Sequence, residues 1–167
     1  MKSSIELEDA LRSLCTLVGL IAVLDNLVIV MILFCNRKQW NQIDLFVLAL
    51  SLIDCSYALA LIINLVARQI SDTWILGDFL CRTLFSVDMF TMSCSIYILL
   101  IMSFIRYQVI NQPFDALLTV NPLNKAFILI IAQSILAMVV ATPMMMYTKT
   151  KIMPLGTICT GAWPKES

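Results

Sequence analysis

Two charges stand in an apolar stretch where a purely structural span would carry none. Cys81–Pro113 reads CRTLFSVDMFTMSCSIYILLIMSFIRYQVINQP; past Arg82 at its start, it holds one acid, Asp88, and near its end one base, Arg106. They are about five helical turns apart, so they share a helix face and stand roughly 27 Å from each other, close to the thickness of a hydrocarbon core. Charges at such depths are costly and mark functional positions. Asp88, about two turns below Cys81, can meet a cationic group of a ligand (an amine, Lys or Arg), or it can pair with Arg82 or Arg68 of its own chain. Asp54 lies in the middle of LALSLIDCSYALAL, and Asn26 and Ser95 are its candidate neighbours. Ser95 follows Asp88 on the same face, about 10 Å deeper. A carboxylate, an amide and a hydroxyl together suit a small hydrated cation such as sodium. A protonated Asp54 holding two helices together is the other reading. Arg106-Tyr107 ends the stretch, where snorkelling side chains ordinarily anchor a helix in the interface.

Other chemistry is not supported. There is no histidine, no Gly-rich phosphate loop, no Ser/His/Asp set and no CxxC, and the ten methionines are scattered as core filler. No catalytic constellation is present, so a non-enzymatic role is expected. The formal net charge is zero, which offers no bulk attraction for nucleic acid.

The elements that must position these residues are spans. Hydrophobic residues make up 60% of the chain, charged ones only 13%, and mean hydropathy is +0.92. A soluble domain averages about 25% charged, so an all-α membrane protein is expected. Four spans follow from the pattern: residues 11–35, 43–67, 81–110 and 126–147. The first carries Asp25-Asn26 and the second Asp54 and Asn64. Residues 1–10 are short and acidic and do not resemble a cleaved leader. Arg68–Leu80 reads as a loop holding Trp74 and Gly77, with Trp74 assigned by default to the interfacial belt. Pro113 and Pro122 prevent a continuous helix through the third loop. The stretch TKTKIMPLGTICTGAWPKES is polar and reads as a loop.

Two signals conflict over which end faces the cytoplasm. The first and third loops, with Arg106, hold Arg37, Lys38, Arg106 and Lys125. The other side holds Lys2, Arg12, Arg68, Arg82, Lys149, Lys151 and Lys165. Basic residues taken alone put the N-terminus inside. Cysteine placement argues the reverse. Of the six cysteines, Cys81 and Cys159 border spans three and four and are the pair placed to meet in an oxidising compartment; if bonded, they put the N-terminus outside.

Taken together, these residues resemble the first half of a rhodopsin-like (class A) G-protein-coupled receptor, over about residues 15–165. Asn26 is similar to the family's span-one asparagine, and LALSLID ending at Asp54 to its span-two pattern. Trp74-x-x-Gly77-x-x-x-Cys81 resembles the first outer loop and the cysteine opening span three. Asp88, Ser95, Arg106-Tyr107 and Pro113 follow at the family spacing, and Pro143 and Cys159 resemble the span-four proline and the second disulfide cysteine. DMFTMSCSIYILLIMSFIRY and CTGAWPKES are similar to peptide receptors of the somatostatin, opioid and allatostatin C group. The resemblance implies one domain over 1–167, cut short after four of seven spans, in the plasma membrane with the N-terminus extracellular. It implies a Cys81–Cys159 disulfide and an extracellular, basic neuropeptide meeting Asp88. It further implies an allosteric sodium and water site at Asp54, Ser95 and Asn26, and a heterotrimeric G protein contacting Arg106 and Tyr107. Membrane lipid is the remaining partner expected.

Three residues depart from that pattern. Ile105 stands where the family usually has an acid that restrains the arginine, which implies raised basal signalling or weakened coupling. Gln133 or Ser134 replaces the span-four tryptophan, and Asp25 replaces a small glycine. Competing expectations are an amine or chemosensory receptor of the same fold, and a four-span structural or adaptor membrane protein.

Overall fold

A membrane core offers the backbone no hydrogen-bond partners, so an apolar chain must satisfy its own amides, and helices do that within one segment. The computed structural model describes residues 2–71, 73–111, 122–154 and 156–161, without the side chains of residues 2–5 and 39. Within these lie α1 (Lys2–Cys35), a 3-10 turn (Arg37–Gln39), α2 (Gln42–Ile70), α3 (Gly77–Asn111), α4 (Pro122–Tyr147), β1 (Thr148–Met153) and β2 (Gly156–Gly161). All four α-helices are long and apolar enough to cross a membrane. Each overruns its expected span. The acidic segment before residue 11 continues α1, where Arg12 pairs with Glu8 and Asp9 one turn earlier at 3.5 and 3.8 Å. Pro113 and the sequence Ala162–Ser167 fall outside the described residues.

Local chemistry sets the ends. Asn41 caps α2: its side-chain oxygen accepts from the Ile43 and Asp44 amides, while the Asp44 carboxylate accepts from the Asn41 amide at 2.9 Å. Trp40 closes the turn before it, donating its indole N–H to the Leu33 carbonyl and setting its ring edge-on to Phe34. Pro122 opens α4, where its missing N–H has no intrahelical partner to lose. At the end of α2 the Ser71 amide bonds back to the Ala67 carbonyl.

The helices pack in sequence, α1 on α2, α2 on α3 and α3 on α4, with α2 also touching α4. Gly19 lets α1 approach α2 closely, because a Cβ there would press on Ile62 at 3.0 Å. One buried cluster joins α2, α3 and α4 through Phe46, Ile98, Ile105 and Ala126. A second, at the other end, gathers Trp74, Cys81 and Leu84, with Cys159 against them. Elsewhere large apolar side chains such as Leu24, Ile110 and Ile128 face outward, as lipid contact demands.

Two loop readings are corrected. Residues after Tyr147 form an antiparallel hairpin, with Thr148 opposite Gly161 and Met153 opposite Gly156. Alternating Thr, Lys and Ile suits a strand exposed on one face, but only pairing with GTICTG makes it one. Trp74 is not a belt residue. It is 7% exposed, its amide bonds to the Thr157 carbonyl and its indole N–H to the Gly77 carbonyl at 2.8 Å, so it pins the hairpin to the bundle.

Gly156 makes that docking possible. Its φ is +131°, and a Cβ would collide with the Thr73 side chain. Gly156→Ala is expected to cost about 1–3 kcal/mol locally and to lower hydrogen-exchange protection of the Trp74 amide by tenfold or more. Unchanged protection would show that the hairpin docks without that close approach.

Candidate functional site

Asp88 and Arg82 share α3, and Arg68 ends α2 nearby, so an internal ion pair was open. The structure engages both bases elsewhere. Arg82 forms a two-pronged pair with Asp78 at 2.7 Å, and Arg68 donates Nε–H to the Asn64 side chain at 3.0 Å. The Asp88 carboxylate has no cation partner among the described residues. It lines a small groove between α2 and α3 with Tyr57, Ala60, Leu61, Asn64, Leu84 and Phe85. The same carboxylate borders a deeper groove of about 360 Å³ that runs past Thr91 and Met92 to Ser95 and Asp54.

Asp54 and Ser95 meet at the bottom. The Ser95 hydroxyl donates to one Asp54 oxygen at 3.1 Å, across α2 and α3. The second carboxylate oxygen has no hydrogen-bond partner among the described residues. Asn26 does not join them: it lies on the stripe of α1 that faces α2, but donates to its own Ala22 carbonyl at 2.9 Å. An amide in an apolar helix finds the carbonyl one turn back sooner than a neighbour. Asp25 is exposed, off that stripe, and no hydrogen bond joins it to Asp54. The donors brought together are therefore one carboxylate and one hydroxyl, both hard oxygens suited to a small cation completed by water. Among the described residues no group of three His, Cys, Asp or Glu could hold a metal ion.

At the hairpin end, Cys81 and Cys159 are bonded, with Cα atoms 5.7 Å apart. Asp78 adds a second tie: one oxygen accepts from the Thr150 amide at 2.9 Å and from the Thr150 hydroxyl, while the other holds Arg82. The hairpin is thus fixed over α3 by a covalent bond, a carboxylate and Trp74.

At the opposite end, Arg106 and Tyr107 are exposed and neither has a side-chain partner among the described residues. Ile105 turns the other way, 8% exposed, into the cluster with Phe46 and Ala126. The sequence marked Ile105 as a missing acid; its packing role was visible only once α2 and α4 were placed against it. In α4, Gln133 is buried, its amide reaching the Ser134 hydroxyl at 3.4 Å and its carbonyl oxygen unpaired among the described residues.

Residues 25–167 match the family model of the 7 transmembrane receptors (rhodopsin family). The chain belongs to this family. It is 29% identical to the Urotensin-2 receptor of Macaca mulatta over 154 residues, which is 92% of this chain and 39% of that protein. With the Urotensin-2 receptor of Bos taurus the identity is 33%, over 73% of this chain and 31% of the relative. With the Neuromedin-K receptor of Homo sapiens it is 29%, over 87% and 30%. The chain thus spans between three and four tenths of the length of these curated relatives. Its four helices are the N-terminal part of the family's seven-helix bundle, in a multi-pass membrane protein, and Asp88, Asp54 and Ser95 line one continuous face of it.

Ile105→Ala is expected to cost about 1–3 kcal/mol, less than in a water-soluble core, because lipid is as apolar as the cavity left behind. Ile105→Asp should cost more, since a carboxylate would enter an apolar cluster without a partner. Thermal unfolding in phosphatidylcholine nanodiscs checks both; an Asp variant as stable as the parent would refute the packing role.

Proposed function

We propose that this chain supplies the ligand-recognising and signal-transmitting helices of a plasma-membrane receptor for a basic extracellular neuropeptide, acting through heterotrimeric G proteins. The observation that carries the proposal is Asp88: an acid facing a groove, with Arg82 paired to Asp78 and Arg68 turned to Asn64 rather than to Asp88. A half-buried carboxylate without an internal cation among the described residues is suited to receive one from a ligand, an amine, Lys or Arg. The names of the relatives, receptors for urotensin-2 and neuromedin-K, support a peptide over a small amine. The disulfide supports the orientation, since such bonds persist in oxidising compartments. On that reading the N-terminus and hairpin are extracellular, and Arg106 and Tyr107 face the cytoplasm, where they meet the G protein. No acid precedes Arg106, so its guanidinium is unrestrained by its neighbour, and basal signalling is raised or coupling weakened.

In a seven-span receptor carrying this sequence, Asp88→Asn should weaken a radiolabelled basic peptide roughly 30-fold or more, the cost of leaving a desolvated charge pair half made. Equal affinity for both forms would remove Asp88 from the ligand site.

Asp54 and Ser95 are the proposed sodium and water site; Asn26 would join it only by giving up its bond to the Ala22 carbonyl. Binding to the folded state alone raises thermal stability. Replacing choline by sodium at constant ionic strength should raise the melting temperature, and Asp54→Asn should abolish the rise. A sodium effect that survives Asp54→Asn would place the ion elsewhere.

A further inference from the structure

A second cleft opens at the hairpin end, and its chemistry is the opposite of the Asp88 groove. It has a volume of about 310 Å³ and is walled by Arg12 and Arg68 from the helices, Trp74, and Thr157 and Thr160 from the hairpin. Arg12 is held in place by Glu8, Asp9 and the Arg68 carbonyl, so its charge is largely matched. Arg68 is different. Its Nε–H bonds to the neutral side chain of Asn64, and its terminal nitrogens meet no acceptor among the described residues. A guanidinium oriented through Nε, with its outer fork free and hydroxyls opposite, is a receptor for a planar oxyanion. Asn64 also lines the Asp88 groove, one turn below Arg68, so one side chain borders the first site and positions the cation of the second.

We propose that the Arg68 cleft binds a carboxylate of the same extracellular peptide whose basic group meets Asp88, so that the two sites read a ligand with both charges. The proposal rests on the Asp88 reading for the identity of the ligand, while the anion site itself rests on Arg68. Arg68 is the ligand-contacting group. Asn64 is a positioning residue, and the hairpin threonines close the far wall. A phosphate-bearing lipid surface would share the oxyanion chemistry, but the cleft lies under the hairpin and beside Trp74, which favours a soluble ligand entering from the hairpin end.

The test uses the full chain in phosphatidylcholine nanodiscs with ¹⁵N-labelled arginine, reading the Arg68 Nε–H resonance. The probe is N-acetyl-glutamate amide, and N-acetyl-lysine amide is titrated separately against the Asp88 groove. A saturable shift with the acidic probe is expected, weakened at least tenfold in Asn64→Ala. In Arg68→Gln, followed at the Arg12 resonance beside the same cleft, the acidic probe is expected to bind at least tenfold more weakly, while Lys38→Gln at the other end keeps the full Arg68 response. No saturable shift, an equal response to the basic probe, or an Arg68 resonance already displaced by phosphatidylglycerol nanodiscs without probe would each overturn the anion site as proposed. Failure of the basic probe alone instead sinks the Asp88 reading and with it the two-charge ligand. The Trp74 amide, whose protection reports hairpin docking, separates loss of binding from loss of fold in each variant.

Discussion

Every polar group at membrane depth must find a partner within the protein, and the chain meets this demand largely one turn at a time. Hydroxyls and amides along the spans bond back to carbonyls of their own helix: Asn26 to Ala22, Ser56 to Leu52, Thr91 to Val87, Ser103 to Leu99, Ser134 to Ile130 and Thr142 to Met138. Such groups are spent locally and hold no neighbour. Among the described residues of α2 to α4, three groups left over are the Asp88 carboxylate, one oxygen of Asp54 and the carbonyl oxygen of Gln133. Two of the three border one groove. The site is thus where the local solution fails, because a carboxylate, having no proton to donate when ionised, cannot bond back to a carbonyl.

The same logic sorts the bases at the hairpin end. Arg82 is taken by Asp78 on its own helix, and Arg12 by Glu8 and Asp9 on its own. Pairs at this spacing form wherever the residues fall on one helix face. Arg68 turns its Nε–H to the neutral Asn64 one turn earlier, and no ion pair joins it among the described residues. For Arg82 and Arg12, an acid one turn away on the same helix settles the partner.

Much of this was legible in the sequence because helical spacing carries it. The four spans follow from length and hydropathy, and Asp88, Ser95 and Arg106 follow from turns counted along α3. The Ser95–Asp54 bond was within reach too, since both residues are polar at mid-span. What escaped depends on partners rather than on period. The hairpin has a polar sequence that reads as a loop until its two strands are paired. Trp74 has the same composition signal whether it faces lipid or a hairpin. Asn26 was placed with Asp54 by residue type, yet its own helix offers a nearer acceptor.

The Cys81–Cys159 bond closes a loop of 78 residues that contains most of α3 and all of α4. In water a closure of that length would restrict an unfolded chain greatly. In a bilayer both helices are already held upright by their own apolar length, so the bond has little freedom left to remove from them. Its constraint falls on the hairpin instead. Reduction of the bond would therefore loosen the hairpin, which Asp78 and Trp74 still hold, while the helices stay set by the lipid.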